Sequence, residues 1–232
     1  MEKLKILQID DTCTGCGACS SICPKSCISI EPNNEGFYYP TVDNEKCIKC
    51  HLCERACHVL NPYSEEPVVK DGFIVYKSNN DNIREKSTSG GAFSLLADNI
   101  IKRNGVVFGS LYNSADGKLE VNNSDNCNWL LFRKSKYVET YTGHTFNDVI
   151  KFLKAGRPVL YCSTPCQIRG LKQLLKIKKI DDSGLITIDL ICHGVPSMAF
   201  FKYFLTKYNL EDKEILELNF RHKDFSDPNH MW

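Results

Sequence analysis

The sequence predicts an α+β protein in which a small cysteine-rich unit precedes an α/β unit built on a mainly parallel sheet. Three observations predict it. Residues 13–57 carry two cysteine runs of the same spacing. A segment with two prolines and two acids, Asn61-Pro62-Tyr63-Ser64-Glu65-Glu66-Pro67, follows without apolar periodicity and reads as a linker. Beyond it, short β-branched runs alternate with amphipathic stretches of about ten residues, the pattern of parallel strands joined by helices. The expected boundaries are residues 1–62 for the first unit, 63–70 for the linker and 71–232 for the second unit, with the linker separating two cores.

The first run is Cys13-x2-Cys16-x2-Cys19-x3-Cys23-Pro24 and the second Cys47-x2-Cys50-x2-Cys53-x3-Cys57-His58. Three cysteines at i, i+3 and i+6 wrap a short loop around one iron-sulfur cube, and the fourth ligand comes from elsewhere. In the bacterial two-cluster arrangement the last cysteine of each run serves the other run's cluster. Cys13, Cys16, Cys19 and Cys57 are then expected to hold one 4Fe-4S cluster, and Cys47, Cys50, Cys53 and Cys23 a second. Structural zinc usually takes separated Cys-x2-Cys pairs, against the third and fourth cysteines at fixed short offsets. A disulfide framework needs an oxidising compartment, and Met1-Glu2-Lys3-Leu4-Lys5 opens no apolar run of signal-peptide length. The first sixty or so residues thus resemble a bacterial-type two-cluster ferredoxin. His58 stands where the first run has Pro24, and is expected to be a turn residue rather than an extra ligand.

Within this unit, residues 27–30 and 36–42 read as two strands joined by the turn-forming Glu31-Pro32-Asn33-Asn34. Cys27 is expected to be a packing residue. In the second unit, residues 72–76 read as a strand. Phe93, Leu96, Ala97, Ile100 and Ile101 recur at helical spacing over 92–103, and Asn104-Gly105 stops that helix. Residues 106–112 form the next strand, with 119–121 pairing beside it. A short helix is expected within 125–132, carrying Cys127 and Trp129 as packing residues. Thr145 and Asp148 resemble a capping box for a helix to Ala155, ended by Gly156. Strands at 158–162 and 185–192, helices at 166–176 and 197–208, and a last strand at 215–221 complete the pattern.

The whole chain has 232 residues, 25% charged and 42% hydrophobic, with net charge +1. That balance does not ask for nucleic acid, and no run approaches the roughly 18 apolar residues of a membrane span. A cytoplasmic location is expected.

Three strand-to-helix turns of the second unit carry unusual residues, and ligands collect at the carboxyl ends of strands in open parallel sheets. Ser87-Thr88-Ser89-Gly90-Gly91 offers hydroxyl donors, two glycines and a helix N-terminus, which suit a phosphate; the same residues also make an ordinary N-cap. Pro165 near the first helical position presents Cys166 at a helix N-terminus, where a thiolate is stabilised; the alternative is a small residue buried under the turn. His193, in Cys192-His193-Gly194, either handles protons or bonds a loop carbonyl.

These turns, with Ser135-Lys136-Tyr137 and the stretches Thr164-Pro165-Cys166-Gln167-Ile168 and Asp189-Leu190-Ile191-Cys192-His193-Gly194-Val195-Pro196-Ser197, resemble the family of coenzyme F420 hydrogenase/dehydrogenase beta subunits. The resemblance runs from about residue 70 to 232. It implies a flavin-dependent iron-sulfur oxidoreductase that binds FAD beside the two 4Fe-4S clusters. Electrons would pass between the clusters and a two-electron small molecule, such as coenzyme F420 or another substrate. By position, Ser87, Thr88, Ser89, Gly90 and Gly91 would touch the flavin phosphates, and Cys166, Cys192 and His193 would lie near the redox centre. The partner would be an electron-donor or electron-acceptor protein, ferredoxin-like or one of the other hydrogenase/dehydrogenase subunits. The other function class is a non-enzymatic electron carrier or docking subunit that uses the clusters alone. Family members usually continue further, so the second unit is expected to be incomplete at its C-terminus.

Overall fold

The computed structural model describes residues 4–9, 12–62, 75–211, 213–215 and 217–221. The first unit opens with a 3-10 turn, Lys5–Leu7, followed by α1 (Ala18–Ile22), β1 (Ile28–Pro32), β2 (Tyr38–Val42) and α2 (Leu52–Ala56). β1 and β2 pair antiparallel, Ile28 against Val42 and Pro32 against Tyr38, so the expected hairpin is present. Its turn lies two residues later than expected, with Gly36 N–H donating to Asn33 O and Pro32 inside the strand. The linker at 63–70 and most of the strand expected at 72–76 lie outside the described residues. Val75 and Tyr76, which are described, are not in a strand.

The second unit continues with α3 (Asp81–Glu85), α4 (Ala92–Lys102), β3 (Val106–Asn113), β4 (Lys118–Asn123), a 3-10 turn at Trp129–Phe132, α5 (Thr145–Lys154), β5 (Val159–Ser163), α6 (Pro165–Lys178), β6 (Leu185–Asp189) and α7 (Met198–Lys207). The sheet order is β4-β3-β5-β6. β3, β5 and β6 are parallel, while β4 returns antiparallel from β3 through a hairpin. Side chains alternate across the sheet. Val106, Phe108, Val159 and Tyr161 face α5 and α6, whereas Val107 and Leu160 face α4 through Ala97 and Ile100.

Three expectations are corrected. Thr145 does not cap α5: it is the first helical residue, buried, and its hydroxyl donates to Thr142 O at 2.7 Å and meets the Tyr161 hydroxyl at 3.0 Å. The core claims that oxygen before the helix end can. The described residues of 215–221 form no strand; instead Phe220 N–H donates to Ser135 O, and its ring packs against Phe201 and Tyr137.

The third concerns the cores. Ala18, Ile22, Ile28, Cys53, Ala56 and Cys57 of the first unit share one apolar cluster with Phe108, Phe146, Tyr161, Ile168, Leu171 and Leu174 of the second. The hairpin turn adds a second contact, where Ser197 Oγ donates to Glu35 O at 2.6 Å and a side chain on Gly36 would collide with Ala199. The boundary in the chain is therefore not a boundary in the packing. No helix among the described residues is long and apolar enough to cross a membrane.

Candidate functional site

The eight repeated cysteines border two pockets. Cys13, Cys16, Cys19 and Cys57 line one of about 360 Å³, walled by Ile6, Ile9, Ile30, Pro40 and Val59. Cys23, Cys47, Cys50 and Cys53 line another of about 320 Å³. In each, three thiols come from one run and the fourth from the other.

The two runs share a backbone device. Gly15 and Gly17 have φ of 60° and 80°, and Lys49 and His51, at the matching offsets, have φ of 52° and 57°. A left-handed residue other than glycine costs about 1–2 kcal/mol. The first run avoids this because it has no room for side chains. A Cβ on Gly15 would lie 2.6 Å from Tyr38 O, and one on Gly17 would strike Thr142 Oγ1. Lys49 and His51 point to solvent and need no such economy. The first pocket is thus the inner one, pressed against the second unit, and the other is the outer one, with Cys50 exposed at its mouth.

Burial and sulfur chemistry decide what these pockets suit. Desolvation pushes Cys16 up to about 12 and Cys53 up to about 11, and raises Cys13 and Cys19 as well. Backbone N–H groups, those of Gly15, Ala18 and Ser20 in the inner pocket and of Glu54 in the outer, partly oppose that shift by donating to sulfur. Cys23 differs. Desolvation raises it, but the N–H groups of Cys27, Lys25 and Ser26 and the Cys27 side chain outweigh that and lower it. A thiolate in such apolar surroundings needs a cationic metal bonded to it. Among the described residues, no three His, Cys, Asp or Glu side chains converge on a single metal-ion position. Four sulfurs bordering a volume fit a cluster rather than one ion. His58 sits in the turn after Cys57 and hydrogen-bonds Thr14 Oγ1 at 2.9 Å.

Helix α6 carries the contact between the inner pocket and the sheet. Pro165 stands at its start, and Thr164 Oγ1 lies 3.2 Å from Cys166 Sγ. Cys166 is near enough to Cys13 and Cys16 to act on both electrostatically. One turn on, a Cβ at Gly170 would lie 3.0 Å from Cys16 Sγ. Thr142 Oγ1 donates to Cys16 O at 3.2 Å, and the Tyr38 N–H donates to both Glu139 carboxylate oxygens.

Burial raises Glu139 from 4.5 to about 7. A carboxyl with a raised folded-state pKa binds its proton more tightly folded than unfolded. The stability it contributes is full at acid pH and is lost as pH rises from 4.5 towards 7. Glu139→Gln is expected to flatten the pH dependence of the urea midpoint between about pH 4.5 and 7, while the parent loses stability across that window. A parent slope of zero or of opposite sign would remove Glu139 from the account.

The other predicted residues lie at the carboxyl edge of the sheet. Gly91 has φ 90° and is the N-cap of α4, with no side chain capping the first turn. Gly90 has a different cause from close approach to an anion: a Cβ there would strike Tyr76 O, where Ser78 N–H donates to Gly90 O at 2.7 Å. Ser87 donates to Ile83 O, Ser89 is exposed, and Thr88 Oγ1 accepts from Ser135 Oγ at 3.1 Å. Beside Ser135, burial lowers Lys136 to about 8. Its amine donates to Arg133 O at 2.6 Å and acts on Cys162, the strand neighbour of Tyr161. Burial pushes Cys162 up to about 12. Cys192 and His193 are exposed in the loop after β6, where the Gly194 N–H meets Cys192 Sγ at 3.4 Å. Leu190 N–H donates to Ser163 O, which sets that loop beside the start of α6.

Sequence reasoning did not single out Gly170, Thr142 or Glu139, which signal only through contacts between units. It quoted Lys136 without a role, because nothing in a sequence shows that one lysine among many is buried.

Residues 12–61 match a 4Fe-4S dicluster domain, and residues 156–228 match the C terminus of the beta subunit of coenzyme F420 hydrogenase/dehydrogenase. The F subunit of the F(420)H(2) dehydrogenase of Methanosarcina mazei is 23% identical over 199 residues, covering 78% of this chain and 53% of that protein. The iron-sulfur A subunit of the CoB–CoM heterodisulfide reductase of Methanocaldococcus jannaschii is 38% identical over 66 residues, 21% of this chain and 9% of that protein. The chain spans about half the length of the first relative and a small part of the second. The chain thus joins a segment similar to a 4Fe-4S dicluster domain to one similar to the C terminus of the coenzyme F420 hydrogenase/dehydrogenase beta subunit.

Proposed function

We propose that the chain passes electrons between two 4Fe-4S clusters and, through FAD bound by residues 71–232, a two-electron small molecule such as coenzyme F420. The observation that carries this is the seating of the inner thiol set on α6, with Gly170 against Cys16. When bound, the clusters supply one-electron transfer, and a flavin joins two such steps into hydride chemistry. The inner set would be held by Cys13, Cys16, Cys19 and Cys57, and the outer by Cys23, Cys47, Cys50 and Cys53.

Apolar walls exclude water from the inner sulfurs, and Gly15, Gly17 and Gly170 admit the close packing that brings this set to the sheet. Across the sheet, Lys136, Ser135, Thr88 and the uncapped first turn of α4 supply the cation, hydroxyls and N–H groups that suit a pyrophosphate. Adjacent residues of β5 serve the two sites: Tyr161 interacts with Cys16, and Cys162 with Lys136. Cys166, at the start of α6, stands beside the inner set; Cys192 and His193 would border the acceptor. The outer pocket is lined by Lys25 and Lys49 and by His51, which is paired with Glu54 at 3.1 Å, and the two lysines suit docking of an acidic electron-carrier protein.

A visible spectrum of anaerobically purified protein tests this, with a flavin band expected beside the broad cluster absorption. Ser89→Asp is expected to weaken flavin retention at least tenfold by repelling the phosphates. It should leave α4 as stable as before, since an acid at a helix N-terminus is favourable. Clusters without flavin, even after reconstitution with FAD, would overturn the flavin part and leave an electron carrier or docking subunit.

A further inference from the structure

The outer pocket is bordered by a fifth thiol. Cys27 lines it together with Cys23, Cys47, Cys50 and Cys53. Its Sγ lies 3.3 Å from Cys23 Sγ, and Cys47 is near enough to act on it electrostatically. The intervening Pro24-Lys25-Ser26 forms a tight turn in which Ser26 has φ 48° and donates its N–H to Cys23 O, and this sets the two sulfurs side by side. Cys27 is only 5% exposed, and its carbonyl accepts from Asp43 N–H at 2.8 Å, so its position is fixed by the core and the hairpin. Cys23 is partly exposed.

We propose that Cys27 is a reserve ligand of the outer cluster, able to take the iron corner otherwise held by Cys23. This rests on the assignment of Cys23, Cys47, Cys50 and Cys53 as the outer ligands. In the exchange, the iron–sulfur bond to Cys23 breaks and one to Cys27 forms. The Cys27 thiol proton passes to the departing Cys23 thiolate, or to water where Cys23 is absent. Iron oxidation states do not change, so no electron donor or acceptor is needed. The buried thiol thereby protects the cluster nearest the surface against loss or oxidation of its more exposed ligand.

The test uses the full chain, purified anaerobically, with iron and acid-labile sulfide content and the electron paramagnetic resonance of the reduced protein as readouts. The parent and Cys27→Ala are expected to hold about eight irons, and Cys23→Ala also about eight; Cys23→Ala/Cys27→Ala is expected to fall to about four. Cys23→Ser, which keeps the side-chain volume, should also hold about eight, with the resonance of an all-thiolate cluster. Loss to about four irons in folded Cys23→Ala overturns the proposal. So does an oxygen-ligated resonance in Cys23→Ser, or a double variant that keeps about eight. A parent holding only about four irons, or zinc, overturns the ligand assignment itself and the proposal with it.

Discussion

Cys53→Ala is expected to lower the iron content from about eight to about four per chain and the unfolding temperature by about 10 °C or more. Cys53 lies in the apolar cluster shared by both units, and the thiol acting on it is Cys50, itself a member of the outer set. Cys27 offers no replacement here, because its own thiol neighbours are Cys23 and Cys47. Loss of a structural metal group belongs to the changes that exceed about 4 kcal/mol, and each kcal/mol moves the transition of a chain this size by about 2–4 °C. The pocket of about 320 Å³ would stand open beneath α2, whose Ala56 is packed in the same cluster as Leu171 and Leu174 of α6. The loss should therefore spread to the sheet. Tryptophan fluorescence, to which Trp129 beside α4 contributes, and far-ultraviolet circular dichroism are expected to show one transition, shifted as a whole. A fluorescence transition left where the parent has it would mean that the units fold independently after all.

Much of this architecture was legible because it is local. Cysteine spacing marks the two runs, and the apolar periods of 92–103 and 106–112 mark α4 and β3, within a residue or two of their observed ends. What could not be read depends on contacts between distant parts. The matched left-handed positions show how: Gly15 and Gly17 differ from Lys49 and His51 only because Tyr38 and Thr142 crowd the first run. Thr145 and Asp148 satisfied a local capping rule, yet Tyr161, sixteen positions away, took the hydroxyl. The turn at 87–91 was visible as glycine and hydroxyl chemistry, but its cross-link to Ser135 joins residues 47 positions apart. Cys27 looked like core and is core. Only the fold shows that this piece of core touches a thiol of the outer set.

Gly170→Leu is expected to remove the inner cluster and spare the outer one, again leaving about four irons, but from the other set. Glycine inside a helix costs about 1 kcal/mol relative to alanine, so its presence in α6 needs a cause. A Cβ there would stand 3.0 Å from Cys16 Sγ and 3.3 Å from the Ala18 Cβ. α6 is held on both sides, with Leu171, Leu174 and Leu175 fully or almost fully buried in the shared core and Gln173 donating to Arg55 O at 3.0 Å. The helix cannot retreat from an added side chain without opening that core. Overpacking of this kind costs about 1–3 kcal/mol in addition to the loss of the inner cluster, so the unfolding temperature should fall at least as far as for Cys53→Ala. Gly170→Ala should lie between parent and leucine, because the gain in helix propensity offsets part of the crowding. The two four-iron proteins should differ in the resonance of the remaining cluster, and in one further respect. If the proposed flavin function holds, an external one-electron donor should still reduce the outer cluster of Gly170→Leu but no longer reach the proposed acceptor at the sheet, so turnover should fall at least a hundredfold while flavin retention is unchanged. A leucine variant with about eight irons and parental turnover would show that α6 is not the contact between the inner cluster and the second unit.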